Sequence, residues 1–242
     1  MIYEYLAGVT VLSLIWLICF LKRKDMRKPM IWSGLAYILF TIPFFILLIW
    51  IIPKFIYFGD PIYPEYWSSK TLFNLMQITN GLSIEDLAFM FFAGGVAAFA
   101  YEGLFRKKIK VKRSYTPHLR AVLIGYILAL VIQYFLLINH IYVLIFSALI
   151  GAAFLCIDRK DLIRHALLGG ITFAFLYFTF FLFFNFIFPD FVPLSYKLEN
   201  ISGILLWNVP LEEVLYAFSF GLLGGPLYEY AHGEKDIDVK SR

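Results

Sequence analysis

The chain has 242 residues, of which 61% are hydrophobic, 20% aromatic and only 16% charged, with a formal net charge of +4 and a mean hydropathy of +0.78. Soluble domains run nearer half apolar and a quarter charged, so this composition excludes an ordinary soluble domain and points to an integral membrane protein, in which length counts spans. The positive charge is gathered in a few loops, which makes it a reporter of topology and not of nucleic-acid binding.

Seven apolar runs follow in chain order, at residues 2–21, 30–52, 84–104, 119–138, 141–157, 166–188 and 209–230. Each reaches or approaches the roughly 20 residues a helix needs to cross about 30 Å of hydrocarbon. The first has no basic region before it and is followed by Lys22, Arg23 and Lys24, so it reads as a true span and not as a cleaved signal peptide. Arg27 and Lys28 extend that basic loop, and Arg106, Lys107, Lys108, Lys110, Lys112 and Arg113 form a second one between spans 3 and 4. Arg159, Lys160 and Arg164 mark a third between spans 5 and 6. The positive-inside bias then places the N-terminus outside and the tail from His232 in the cytoplasm of a multi-pass cell-membrane protein. Cys19 and Cys156 lie inside apolar runs and give no reason to expect a disulfide.

The third and seventh runs share a pattern. Sliding residues 81–103 over 208–230 by 127 positions puts Glu85 on Glu212, Asp86 on Glu213, Gly94 on Gly221, Tyr101 on Tyr228 and Glu102 on Glu229. Arg23-Lys24-Asp25 after span 1 likewise matches Arg159-Lys160-Asp161 after span 5. Spans 1–3 and 5–7 are therefore read as two copies of a three-helix unit. An odd linker span leaves both copies in the same orientation, so the expectation is an all-α membrane protein with a parallel 3+1+3 internal repeat. Its parts are a first repeat at 1–105, a basic loop and linker span at 106–139, a second repeat at 140–231 and a cytoplasmic tail at 232–242.

The acidic pairs are the chemical centre of this reading. Ser83-Ile84-Glu85-Asp86 has the form of a capping box, and Pro210 followed by two acids suits a helix start. Adjacent residues point about 100° apart around a helix, however, so at least one acid of each pair should face inward. Carboxyl groups converging against apolar walls hold protons more firmly than in water, and groups driven apart in this way make acid/base partners. The candidate catalytic residues are therefore Glu85, Asp86, Glu212 and Glu213. Tyr101-Glu102 and Tyr228-Glu229 lie about 25 Å away along the axis, where pairing with cations such as Arg23 and Arg159 is expected.

Among the many aromatic residues, Phe89, Trp207, Tyr216 and Phe218 lie near the acids and are the candidates to bind a long apolar substrate, since ring faces also stabilise cations. His118, His140, His165 and His232 are scattered over different loops, so no metal site is expected. No dinucleotide fingerprint, P-loop or nucleophile elbow appears, and no cofactor is expected.

Pro210-Leu211-Glu212-Glu213 resembles the proline–x–glutamate–acid signature of the membrane-embedded lycopene cyclase domain, and the two-copy layout resembles the fused form of that family over essentially the whole chain. Ser83 stands where the first-half signature has proline, and the aromatic pair that often follows the acids is represented by Leu215-Tyr216 and Ala88-Phe89. The resemblance implies an isomerase in which a carboxylic acid protonates the terminal double bond of a linear carotenoid, the neighbouring alkene attacks the cation and a base removes a ring proton. One of Glu212 and Glu213 would be the proton donor and one of Glu85 and Asp86 its partner. Two other classes compete with it: a small-solute transporter on the same 3+1+3 plan, and an isoprenoid- or lipid-binding protein without chemistry. The centres of spans 3 and 7 offer mainly Phe, Ala, Gly and Leu, which disfavours a polar solute.

Overall fold

The computed structural model describes residues 3–105, 109–112 and 120–236. The first residues of span 1, the basic residues Arg106, Lys107, Lys108 and Arg113, His118 and the end of the C-terminal tail lie outside the described residues. The long helices are α1 (Glu4–Lys22), α2 (Arg27–Phe45), α3 (Ile84–Phe105), α4 (Arg120–Leu136), α5 (His140–Asp158), α6 (Ile163–Ile187) and α7 (Leu211–Gly224), followed by the short α8 (Leu227–His232).

Among the described residues, five helical stretches are long and apolar enough to cross a membrane, at Glu4–Lys22, Lys24–Lys54, Ile84–Gly103, His140–Asp158 and Lys160–Ile187. The chain is therefore largely helical and compatible with a multi-pass membrane protein. The other two expected spans take a different form. Helix α4 has 17 residues and is shorter than each of those five. The run at 209–230 is broken, because α7 ends at Gly224 and Pro226, which has no N–H to continue the helical ladder, stands before α8. Span 2 bends in its own way: Pro43 lies inside α2, and the chain beyond it winds through a π-helical turn at Ile46–Ile51 and a 3-10 turn at Ile52–Lys54.

Each half is built around its third helix. Helix α3 packs against α1 and α2, α7 packs against α5 and α6, and α4 rests on α5. The two central helices also approach each other, and α3 reaches across to α6. Glycines allow the closest approaches. A Cβ at Gly94 would meet the Tyr37 ring at 2.6 Å and the Ser33 carbonyl at 3.1 Å, and one at Gly221 would meet Phe173 Cβ at 2.6 Å and the Gly169 carbonyl at 2.9 Å. These equivalent positions bring α3 onto α2 and α7 onto α6 backbone to backbone.

The loops before α3 and before α7 join over the end of the bundle that carries the acids. Trp67 bridges Tyr196, the Ser68 N–H donates to the Ser195 carbonyl at 2.7 Å, and the Lys197 N–H donates to the Tyr66 carbonyl at 3.0 Å. A short antiparallel pair, Leu205–Leu206 with Val209–Pro210, then leads into α7. Its turn residues Trp207 and Asn208 have φ of 48° and 62°, the twist a two-residue hairpin turn requires. At the opposite end, Ile109–Lys112 pairs antiparallel with Glu234–Asp236.

Candidate active site

Ser83 caps α3 in the manner its sequence suggests, and Asp86 completes the box. The Asp86 N–H donates to Ser83 Oγ at 3.2 Å, while the Ser83 N–H and hydroxyl both donate to Asp86 Oδ2 at 2.7 Å. The serine that replaces the signature proline thus orients the acid three positions on. Asp86 Oδ1 accepts a further hydrogen bond, at 2.8 Å, from the Tyr5 hydroxyl on α1. Glu85 is turned away around the helix, and its Oε1 accepts the Leu72 N–H of the preceding loop at 2.6 Å.

The second half repeats the division. Glu213 receives the Tyr66 hydroxyl on Oε1 and the Tyr177 hydroxyl on Oε2, each at 2.5 Å. Glu212 Oε1 accepts the Tyr142 hydroxyl at 2.7 Å and the Ser202 N–H of the preceding loop at 3.0 Å. All four acids are buried. Burial, with the Glu213 charge added, pushes the Tyr66 and Tyr196 hydroxyls well above their usual range, so both remain protonated.

Asp86 and Glu213, one from each half, line a single cavity of about 220 Å³; among the described residues Glu85 and Glu212 do not line it. Its remaining walls are apolar and aromatic, with Phe89, Phe173, Tyr177 and Tyr216 closest in type to a cation-stabilising surface. A smaller cavity of about 60 Å³ shares Phe45, Met90, Leu144 and Tyr216 with it. The contact of the Tyr216 hydroxyl with Met90 Sδ at 3.7 Å belongs to this shared wall.

Of the four aromatic residues expected near the acids, Phe89 and Tyr216 line the main cavity. Phe218 instead packs against Gly170 between α6 and α7. Trp207 sits at the hairpin tip, 78% exposed, with its ring stacked on Phe178 at 5.9 Å. The tyrosines that hold the acids, Tyr5, Tyr66, Tyr142 and Tyr177, were not singled out from the sequence. The usable signal is general: a buried tyrosine hydroxyl needs a partner, and few partners exist in so apolar a chain.

Glu102 and Glu229 meet His165 at the other end of the bundle, all three buried and with ligating atoms within 4.8 Å of one another. Arg23 and Arg159, the cations expected near these acids, each also hold an aspartate. Each arginine clasps the aspartate two residues on, Arg23 with Asp25 at 2.7 Å and Arg159 with Asp161 at 2.8 Å, and Arg23 reaches Glu102 through its backbone carbonyl at 3.5 Å. A charged imidazole would offset one of the two carboxylate charges, and a bound divalent cation both. The helix rise puts this cluster about 25 Å from the outer acids, too far to share their chemistry.

A family model described as lycopene cyclase matches residues 3–104 and 139–231. The matched segments hold α1–α3 and α5–α8, with α4 between them. No curated protein and no solved structure matches the chain.

Proposed function

Because the chain belongs to the lycopene cyclase family, we propose that it closes the acyclic end of lycopene, or of a closely related linear isoprenoid, into a ring by proton transfer alone. The observation that carries this reading is the placing of Asp86 and Glu213, from equivalent positions of the two halves, on the wall of one apolar cavity. A proton is delivered to the terminal double bond, the neighbouring alkene forms the ring bond to the resulting cation, and a ring proton leaves. Atoms and electrons balance without a redox partner, which makes the reaction an isomerisation.

The hydrogen bonds suggest the division of roles. Both partners of Glu213 are phenol hydroxyls, which can donate or accept, so Glu213 can carry a proton without losing either contact. Asp86 Oδ2 accepts from both the Ser83 N–H and the Ser83 hydroxyl, and these contacts favour its carboxylate form. We assign Glu213 as the proton donor and Asp86 as the base. Phe89, Phe173, Tyr177 and Tyr216 lie where ring faces offset the charge of the intermediate, and Glu85 and Glu212 tie loops to the helix starts. The arrangement fits a 3+1+3 membrane topology with seven crossings and the N-terminus outside, which puts the acids under the outer leaflet.

Expression in a lycopene-accumulating host, with pigment analysis, tests the reading. The wild type is expected to yield cyclic carotenoid, and Asp86→Asn and Glu213→Gln to leave lycopene unconverted at normal membrane levels. Unchanged lycopene with a well-expressed wild type would overturn it.

A further inference from the structure

The cavity that holds the acids is closed at both ends and thin on one flank. Its outer roof is buried, with Tyr66 at 3% and Tyr196 at 9% exposure under the bridged loops, and its inner walls at Ala93, Val96 and Phe173 are buried as well. Two lining residues behave differently. Ile15 on α1 and Leu176 on α6 each line the cavity and are each 37% exposed. Nearer the acids the same two helices close up, because Phe184 of α6 lies 3.3 Å from where a Cβ of Gly8 would stand.

We propose that substrate reaches the acids sideways from the bilayer, through a portal between α1 and α6 whose jambs are Ile15 and Leu176. This rests on the cyclase reading and specifies how its substrate is admitted. Ile15 lies ten residues along α1 from Tyr5, the hydrogen-bond partner of Asp86, a rise of about 15 Å. In a hydrocarbon layer about 30 Å thick that places the portal near the midplane, where a fully apolar polyene dissolves. The slot from portal to acids then takes one end of the molecule. A cavity of about 220 Å³ falls below the roughly 300–1,000 Å³ that encloses a whole drug-sized ligand, so the remainder of a long chain stays in the portal and the adjoining lipid. The fitting ligand is an elongated hydrocarbon with its reactive group at the tip.

The test uses Ile15→Trp, Leu176→Trp and the double variant. The controls are Leu14→Trp and Phe175→Trp, exposed neighbours on the same helices that do not line the cavity. Because each of the four sites is at least 37% exposed, the larger ring can be accommodated without displacing the buried core. The full-length protein is purified from lycopene-accumulating cells, and both the pigment retained per protein and the rate of conversion in proteoliposomes containing lycopene are measured. The portal variants are expected to lower both by about tenfold, the controls neither. A wild type that converts lycopene, with portal variants equal to the controls, overturns the portal and leaves the cyclase reading standing. A wild type that retains pigment in a portal-dependent way without converting it overturns the reaction and keeps the portal. A wild type that neither retains nor converts lycopene overturns both.

Discussion

Glu85→Gln keeps an oxygen for the Leu72 N–H but takes the charge from that hydrogen bond, a loss of about 1–2 kcal/mol. We expect a lower unfolding temperature in detergent and lycopene conversion reduced less than about tenfold, since Glu85 does not line the cavity; complete loss of conversion in a folded variant would contradict this. The same holds for Glu212→Gln, which loosens the contacts with Tyr142 and Ser202. The internal repeat made all four acids legible, and the angle between neighbours on a helix required one of each pair to face inward. Which one does so was not legible, because the decision lies with Leu72 and Ser202, backbone groups in irregular loops that leave no periodic trace. Trp207 shows the converse. It stands five residues before Glu212 in the chain, yet the hairpin turn carries its ring outward.

The helices illustrate how far apolar runs alone can be read. Runs of about twenty residues gave α1, α3, α5 and α6 within a few residues, and the positions of α2 and α4. The break in the last run follows from Pro226, a residue visible in the sequence but hidden by the continuous hydropathy around it. Packing between helices was legible only through the repeat. Gly34 lies 136 positions before Gly170, and Gly94 lies 127 before Gly221, so each half joins its second and third helices at matching points. Gly221→Val places a branched side chain against the Gly169 carbonyl, a backbone atom that no rotamer change can move. We expect destabilisation of about 1–3 kcal/mol, together with reduced conversion as α7 and its Glu213 shift. A thermal melt equal to wild type would show that the contact between α6 and α7 is looser than described.

The cavity draws its two acids from both halves of the molecule. Asp86 comes from the first, and Glu213 with Tyr177 comes from the second, so neither half has a complete cavity. Cleaving the chain between α3 and α4 keeps α4 on α5, where it packs. We expect each half expressed alone to leave lycopene unconverted and the two co-expressed halves to restore ring formation; activity from a single half would refute the shared cavity. The pairing of the halves was foreshadowed by the matching acids. The joined loops of the roof were not, since Trp67 and Tyr196 lie far apart in the chain and occupy no common pattern.

That roof bears on what is made. In the proposed reaction the cation left after ring closure either loses a proton to the base or is captured by a molecule of water, and capture yields an alcohol in place of the ring alkene. The bridge from Trp67 to Tyr196 is the seam through which the aqueous phase would leak onto the cation. If the proposed cyclisation takes place here, fidelity of the product would depend on two loops from opposite halves staying clasped, and the share of hydroxylated carotenoid in a pigment extract would measure how often they part.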